Sequence, residues 1–182
     1  MKLDSSALLV VDVQNGFVTD ETRHVVPSIV ELVKRWHTIG GRTIYSRYFN
    51  YEGSAFERLM CWRGLYSPPD TDLTPELVDS AQQATVIDKV TYSSLTREMS
   101  GLVMREGLTD LVICGIDTDL CVLKTVLDVF EHGLTPWIVT DASASTGGRP
   151  AHNAGLVVIG RAVGEQQLVT SDELFTGLTL TT

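Results

Sequence analysis

Ala7–Val13 reads ALLVVDV, and this stretch decides the fold class. It is short, aliphatic and largely β-branched, with Asp12 as the one interruption. Such a run predicts a strand buried on both faces, the kind found inside a parallel sheet covered by helices. The residues that follow keep to that plan. Pro27–Ile39 carries Ile29, Val30, Leu32, Val33 and Trp36 at helical spacing, and Gly40-Gly41 stops the helix. Arg42–Arg47 (RTIYSR) predicts a second strand and Thr85–Asp88 a third, with a helix over about Ser94–Arg105. Asp110–Gly115 (DLVICG) predicts the fourth strand, and Asp119–Glu131 a helix closed by His132-Gly133. Pro136–Thr140, a helix over His152–Val163 and a short strand at Gln167–Thr170 complete the series. Strands that alternate with helices imply a parallel α/β sheet with right-handed crossovers.

The segment Phe49–Pro75 breaks this rhythm. It holds Phe49, Tyr51, Phe56, Trp62 and Tyr66 together with Pro68-Pro69. A loop of that length in a small domain is usually functional or disordered. Its aromatic density fits a wall or lid over a site, and equally a contact between subunits.

The 182 residues suit one domain with its own core, and 43% hydrophobic with 20% charged residues is ordinary for a globular chain. The formal charge of -9 would repel phosphate backbones, so no nucleic-acid partner is expected. Three cysteines, Cys61, Cys114 and Cys121, do not describe a disulfide framework. Met1–Asp4 lacks the layout of a secretory leader, and no apolar run is long enough to span a bilayer. A cytoplasmic setting without membrane attachment is the expectation.

In an open parallel sheet, ligands bind beyond the carboxyl ends of the strands. Three reactive side chains fall there: Asp12 at the end of the first strand, Lys89 after the third, and Cys121 where the fourth strand passes into a helix. A helix start offers free N–H groups and a partial positive charge, which favour a thiolate and can hold an oxyanion. A cysteine on an apolar helix can also be core filler. A carboxylate inside an apolar run is costly unless paired. Asp12 therefore reads as a structural cap or as a base for the thiol, and Lys89 as its partner or as a solvated lysine. Cys114 lies within an apolar strand and reads as core. The four histidines show no metal-binding spacing, no CxxC occurs, and no glycine-rich phosphate loop is present. Neither a metal nor another cofactor is expected.

Four segments, in order, resemble the isochorismatase-like cysteine hydrolases, a group that includes nicotinamidases and N-carbamoylsarcosine amidases. They are Leu8–Phe17 (LLVVDVQNGF), Val86–Ser93 (VIDKVTYS), Val112–Val122 (VICGIDTDLCV) and Thr140–Gly148 (TDASASTGG). The resemblance covers nearly the whole chain, so 1–182 reads as a single hydrolase domain. It implies a three-layer α/β/α, Rossmann-like sandwich on a six-stranded parallel sheet in the order 3-2-1-4-5-6. It also implies a catalytic triad of Asp12, Lys89 and Cys121, with Asp12 as general base and Cys121 as nucleophile. A cis peptide is implied between Ile116 and Asp117, with the amides of Asp117 and Cys121 forming the oxyanion hole. Homo-oligomers, dimers or tetramers, are implied as well.

Two departures from the group narrow the reading. Nicotinamidases carry a metal site of one Asp and two His just after the second strand. Here Ser46–Tyr51 (SRYFNY) offers no histidine and no carboxylate. Isochorismatases proper lack the cysteine, whereas Cys121 is present. The expected activity is cleavage of a C–N bond in a small amide, ureide or carbamoyl compound through a thioester on Cys121. The alternatives are vinyl-ether hydrolysis and a non-hydrolytic reactive-thiol protein. Arg47 at the end of the second strand is the candidate for binding a substrate carboxylate. Phe17, Phe49, Asn50 and Trp62 are the candidate walls. The substrate itself is not expected to be legible.

Overall fold

The structure, a computed structural model, describes residues 1–178. Strand β1 (Ser6–Val11) is buried at every position and lies at the centre of the sheet. Around it stand β2 (Arg42–Tyr48), β3 (Thr85–Lys89), β4 (Asp110–Ile116), β5 (Thr135–Ala144) and β6 (Leu168–Val169). All pair in parallel, in the order β3-β2-β1-β4-β5-β6. This is the expected order. The chain builds outward from β1 to β3, then returns to the other side of β1 with β4. That reversal opens a crevice at the carboxyl ends of β1 and β4.

The period-two alternation of β1 feeds two separate cores. Leu8 and Val10 face a layer containing Ile29, Leu32, Val33 and Trp36 of α1 (Val26–Thr38), Leu77 of α3 (Pro75–Ala81) and Leu174 of α7 (Ser171–Thr176). Ala7, Leu9 and Val11 face Met99, Leu102 and Val103 of α4 (Arg97–Glu106), Val126 and Val129 of α5 (Leu123–Glu131), and Ile159 of α6 (Gly148–Val163). With both faces covered, each buried aliphatic side chain of β1 contributes about 1.5–3 kcal/mol of transfer free energy.

The β1–β4 seam leaves no room for a side chain at Gly115. Its φ is +123°, and a Cβ there would sit 2.1 Å from the Val11 carbonyl oxygen. Only glycine satisfies both conditions. The register between β4 and β5 shifts at the same place, between Ile113 and Gly115.

Three boundaries differ from the sequence expectation. The helix expected from Asp119 begins at Leu123, because Thr118–Val122 forms a single π-type turn. Strand β5 runs on to Ala144, since Ser143 and Ala144 pair with Gly115 and Ile116 beyond the shift. Helix α6 starts at Gly148, not at His152. Pro150 lies in its first turn, where no N–H partner is required. The Phe49–Pro75 segment is ordered around a short helix α2 (Ala55–Met60), whose N–H of Glu57 is capped by Ser54, and a cis Pro68–Pro69 bond.

Candidate active site

Asp12 follows β1 directly with φ +52°, in the left-handed region that a non-glycine residue adopts at a cost of about 1–2 kcal/mol. The backbone is held there because Asp12 N donates to Ser46 O at 3.1 Å while Asp12 O accepts from Gln14 N at 2.8 Å. The bend turns the carboxylate beneath the crevice, where it has no solvent exposure. Its Oδ1 accepts from Ser46 Oγ at 2.8 Å, and its Oδ2 lies 2.6 Å from Lys89 Nζ.

Lys89 is the last residue of β3, two strands from β1, and its side chain is also fully buried. Its ammonium donates to Thr91 O and Tyr92 O, each at 2.9 Å, and reaches Cys121 Sγ at 3.7 Å. Burial alone disfavours the charged amine, but the Asp12 carboxylate and the Cys121 sulfur outweigh it and hold the Lys89 pKa above its usual value. The closest contact of this ammonium is Asp12 Oδ2, and that oxygen has no hydroxyl or amide donor beside it. That oxygen keeps an open lone pair.

Cys121 lies in the π-type turn and is 5% exposed. Burial, and then the Asp12 charge, push its thiol well above the usual range, with Lys89 opposing. The resting arrangement is thus a neutral thiol beside an Asp12–Lys89 ion pair. The sequence expectation of a thiolate favoured by a helix start is thereby corrected: burial raises the thiol, and the ordinary α-helix begins only at Leu123. The Ile116–Asp117 peptide is cis, and Leu120 N and Val122 N both donate to Asp117 O.

A chain of buried hydroxyls ties Asp12 to the turn that holds Cys121. Ser94 Oγ donates to Ser46 Oγ at 2.9 Å, Ser94 N donates to Thr125 Oγ1 at 2.9 Å, and Thr125 Oγ1 donates to Cys121 O at 2.7 Å. Sequence reasoning missed Ser46, Ser94 and Thr125. Their one signal is that each is a small polar residue placed inside or beside an apolar element.

A cavity of about 340 Å³ opens onto Cys121. Its wall is aromatic: Phe17, Tyr48, Phe56, Trp62 and Tyr92 all line it. Phe17 stacks on Trp62 with centroids 6.0 Å apart, and Phe56 meets Tyr48 and Tyr92 edge-on at 5.2 and 4.9 Å. Phe17 and Trp62 thus stand where the sequence placed them. A larger cleft of about 490 Å³, bordered by Asp20, His24, Arg149 and His152, does not include the thiol. The cavity holding Cys121 is the candidate site.

Three expected pocket residues lie elsewhere. Arg47 forms a two-pronged salt bridge with Asp88, Nε to Oδ1 at 2.8 Å and Nη2 to Oδ2 at 2.9 Å, because the two residues are register partners on β2 and β3. Its guanidinium covers the Phe49 ring at 5.2 Å, so both belong to an outer surface. Asn50 is structural: its Oδ1 accepts from Ser54 Oγ at 2.6 Å and Tyr51 N at 3.0 Å, and its Nδ2 donates to Trp62 O. It anchors the aromatic segment without lining the cavity. Phe49–Tyr51, directly after β2, supply no histidine or carboxylate, so they do not fit a metal of the nicotinamidase type. Among the described residues no group of three His, Cys, Asp or Glu side chains is placed to bind one. No described helix is long and apolar enough to cross a membrane.

With this geometry in place, comparison with known proteins is informative. Residues 6–169 match the family model described as Isochorismatase domain. The isochorismatase family protein YddQ of Bacillus subtilis is 25% identical over 151 residues, covering 78% of this chain and 79% of that protein. The solved pyrazinamidase/nicotinamidase of Streptococcus mutans superposes with TM-score 0.80 at 21% identity, over 91% of this chain and 100% of that one. N-carbamoylsarcosine amidase from Thermoplasma acidophilum gives TM-score 0.78 at 22% identity, over 92% and 96%. The two superpositions show the shared fold, and the family match shows the kinship. The chain belongs to the isochorismatase domain family.

Proposed function

We propose that the protein is a cysteine hydrolase that cleaves a C–N bond in a small amide, ureide or carbamoyl compound, through a thioester on Cys121. The observation that carries this is the convergence of a thiol, an ammonium and a carboxylate, from three separate strand ends, beside one cavity. The amidases named above share the fold, and their substrate class motivates the choice of bond.

Asp12 Oδ2 takes the proton from Cys121 Sγ as the sulfur bonds to the substrate carbonyl carbon. The C=O π pair moves onto oxygen, and the Asp117 and Cys121 amides receive that oxyanion. Protonated Asp12 then passes its proton to the substrate nitrogen, the C–N bond breaks, and the amine departs. Asp12 next deprotonates a water that attacks the thioester carbon, and the acid leaves as Sγ regains its proton. Lys89 stays charged throughout. It stabilises the carboxylate before transfer and the sulfur after it.

The raised thiol pKa disfavours a redox sensor, which needs an exposed thiol of low pKa. Vinyl-ether hydrolysis would leave Cys121 without a role. A homo-oligomer in the cytoplasm, without nucleic-acid partners, remains the setting we propose. The test is ammonia release from a panel of small amides and ureides. Release by the wild type and none by Cys121→Ala supports the reading. Equal release by both sinks it.

A further inference from the structure

Among the residues lining the cavity, Asp117 is the single carboxylate, and no lysine, arginine or histidine joins it. The cationic group expected there, Arg47, is consumed by Asp88 outside the cavity. Lys89 is fully buried behind Cys121 and does not line the space. Asp117 is itself only 4% exposed and fixed in place: Thr146 donates to it from its backbone N at 2.5 Å and from Oγ1 at 2.9 Å. Each bond occupies one carboxylate oxygen, and each oxygen keeps a further lone pair directed away from Thr146. The same cavity is lined by electron-rich rings, among them Phe17, Tyr48, Phe56 and Trp62. A small cavity lined by one carboxylate and several aromatic rings suits a desolvated cation, and brings no cationic side chain to an anion. Near-complete burial raises the Asp117 pKa to about 6, so it is charged at neutral pH but at a cost that a cationic ligand would relieve.

We propose that the Asp117 side chain is the specificity determinant of this site, and selects amides that carry an ammonium or amidinium group near the scissile carbonyl. The inference rests on the hydrolase reading for its substrate bond, while the charge preference stands on the cavity alone. It also separates the side chain of Asp117 from the role given to its backbone amide.

The experiment uses three isosteric amides: 3-(aminomethyl)benzamide, 3-methylbenzamide and 3-carbamoylbenzoate. Binding of each is measured by calorimetry to the Cys121→Ala protein, where turnover cannot obscure affinity, at about pH 7.5 so that the ammonium and both carboxylates are charged. The ammonium compound is expected to bind roughly tenfold or more tightly than the methyl compound, with the carboxylate weakest. Adding Asp117→Asn, which keeps the shape and an acceptor for Thr146 N, is expected to bring the ammonium-to-methyl ratio within about threefold. A ratio within one protein is insensitive to the fraction folded. Equal binding of the three, preference for the carboxylate, no binding by any, or a ratio untouched by Asp117→Asn overturns the inference. If the ammonium amide binds as expected but the wild type releases ammonia from no amide, the charge preference stands and the hydrolase reading falls. Turnover without charge preference has the opposite meaning.

Discussion

Lys89 Nζ lies 2.6 Å from Asp12 Oδ2, and neither side chain has any contact with solvent. Removing one partner of such a pair strands the other charge, at a cost of about 3–5 kcal/mol, whereas removing both leaves little penalty. Asp12→Asn and Lys89→Met should each lower stability by that order in urea unfolding. The double variant should recover most of the loss while remaining inactive. Recovery of activity along with stability would show that the pair serves the fold alone.

Arg47→Ala tests the placement of Arg47 outside the site. Its partner Asp88 is half-exposed, so the pair contributes no more than about 1 kcal/mol. Amide turnover should keep its KM and kcat within about twofold. A large rise in KM would return Arg47 to the cavity.

Asp117 gives a pH signature. Its folded pKa, about 6, exceeds that of an ordinary carboxylate, chiefly through burial. Between about pH 4 and 6 the native state therefore holds more protons than the unfolded chain, and this group's contribution to stability falls as pH rises through that window. Below it no penalty exists, and above it the penalty is constant. Asp117→Asn should thus gain stability relative to wild type across this window, reaching on the order of 3 kcal/mol above it, less whatever the Thr146 bonds lose. Thermal unfolding from pH 4 to 7.5 reads the trend. A difference that does not change with pH contradicts the burial of a charged carboxylate.

Gly155→Ala probes how α6 supports the nucleophile. A Cβ there would sit 2.8 Å from Asp119 Cα and 3.0 Å from the Thr118 carbonyl carbon, backbone that cannot yield without moving the turn that holds Cys121. The variant should lose about 1–3 kcal/mol by overpacking and also show a lower kcat, with KM less affected. Loss of stability with full kcat would mean that the turn tolerates the shift.

The parts of this site that were legible in the sequence are those where burial makes polarity expensive. Asp12 breaks an apolar run, and Cys121 follows an apolar strand that has Gly115 one residue from its end. Both stand out because a polar or reactive group there needs a reason. The pairing of Arg47 with Asp88 was not legible. It depends on β2–β3 register, which brings together residues 41 positions apart. The Asp117 side chain was also hidden, since its neighbour Thr146 arrives from the end of β5, an extension the apolar pattern does not mark. The aromatic segment was recognisable as a wall, but which rings face inward follows from α2 and its cap at Ser54, not from composition.

The central claim is that Cys121 forms a covalent acyl intermediate. The direct measurement is rapid acid quench during steady turnover of an amide that releases ammonia, followed by peptide mass mapping. The account predicts an added acyl group on the peptide bearing Cys121, absent from those bearing Cys61 and Cys114, and lost when Cys121→Ala is used. Sustained ammonia release with Cys121 unmodified, and undiminished in Cys121→Ala, would contradict it.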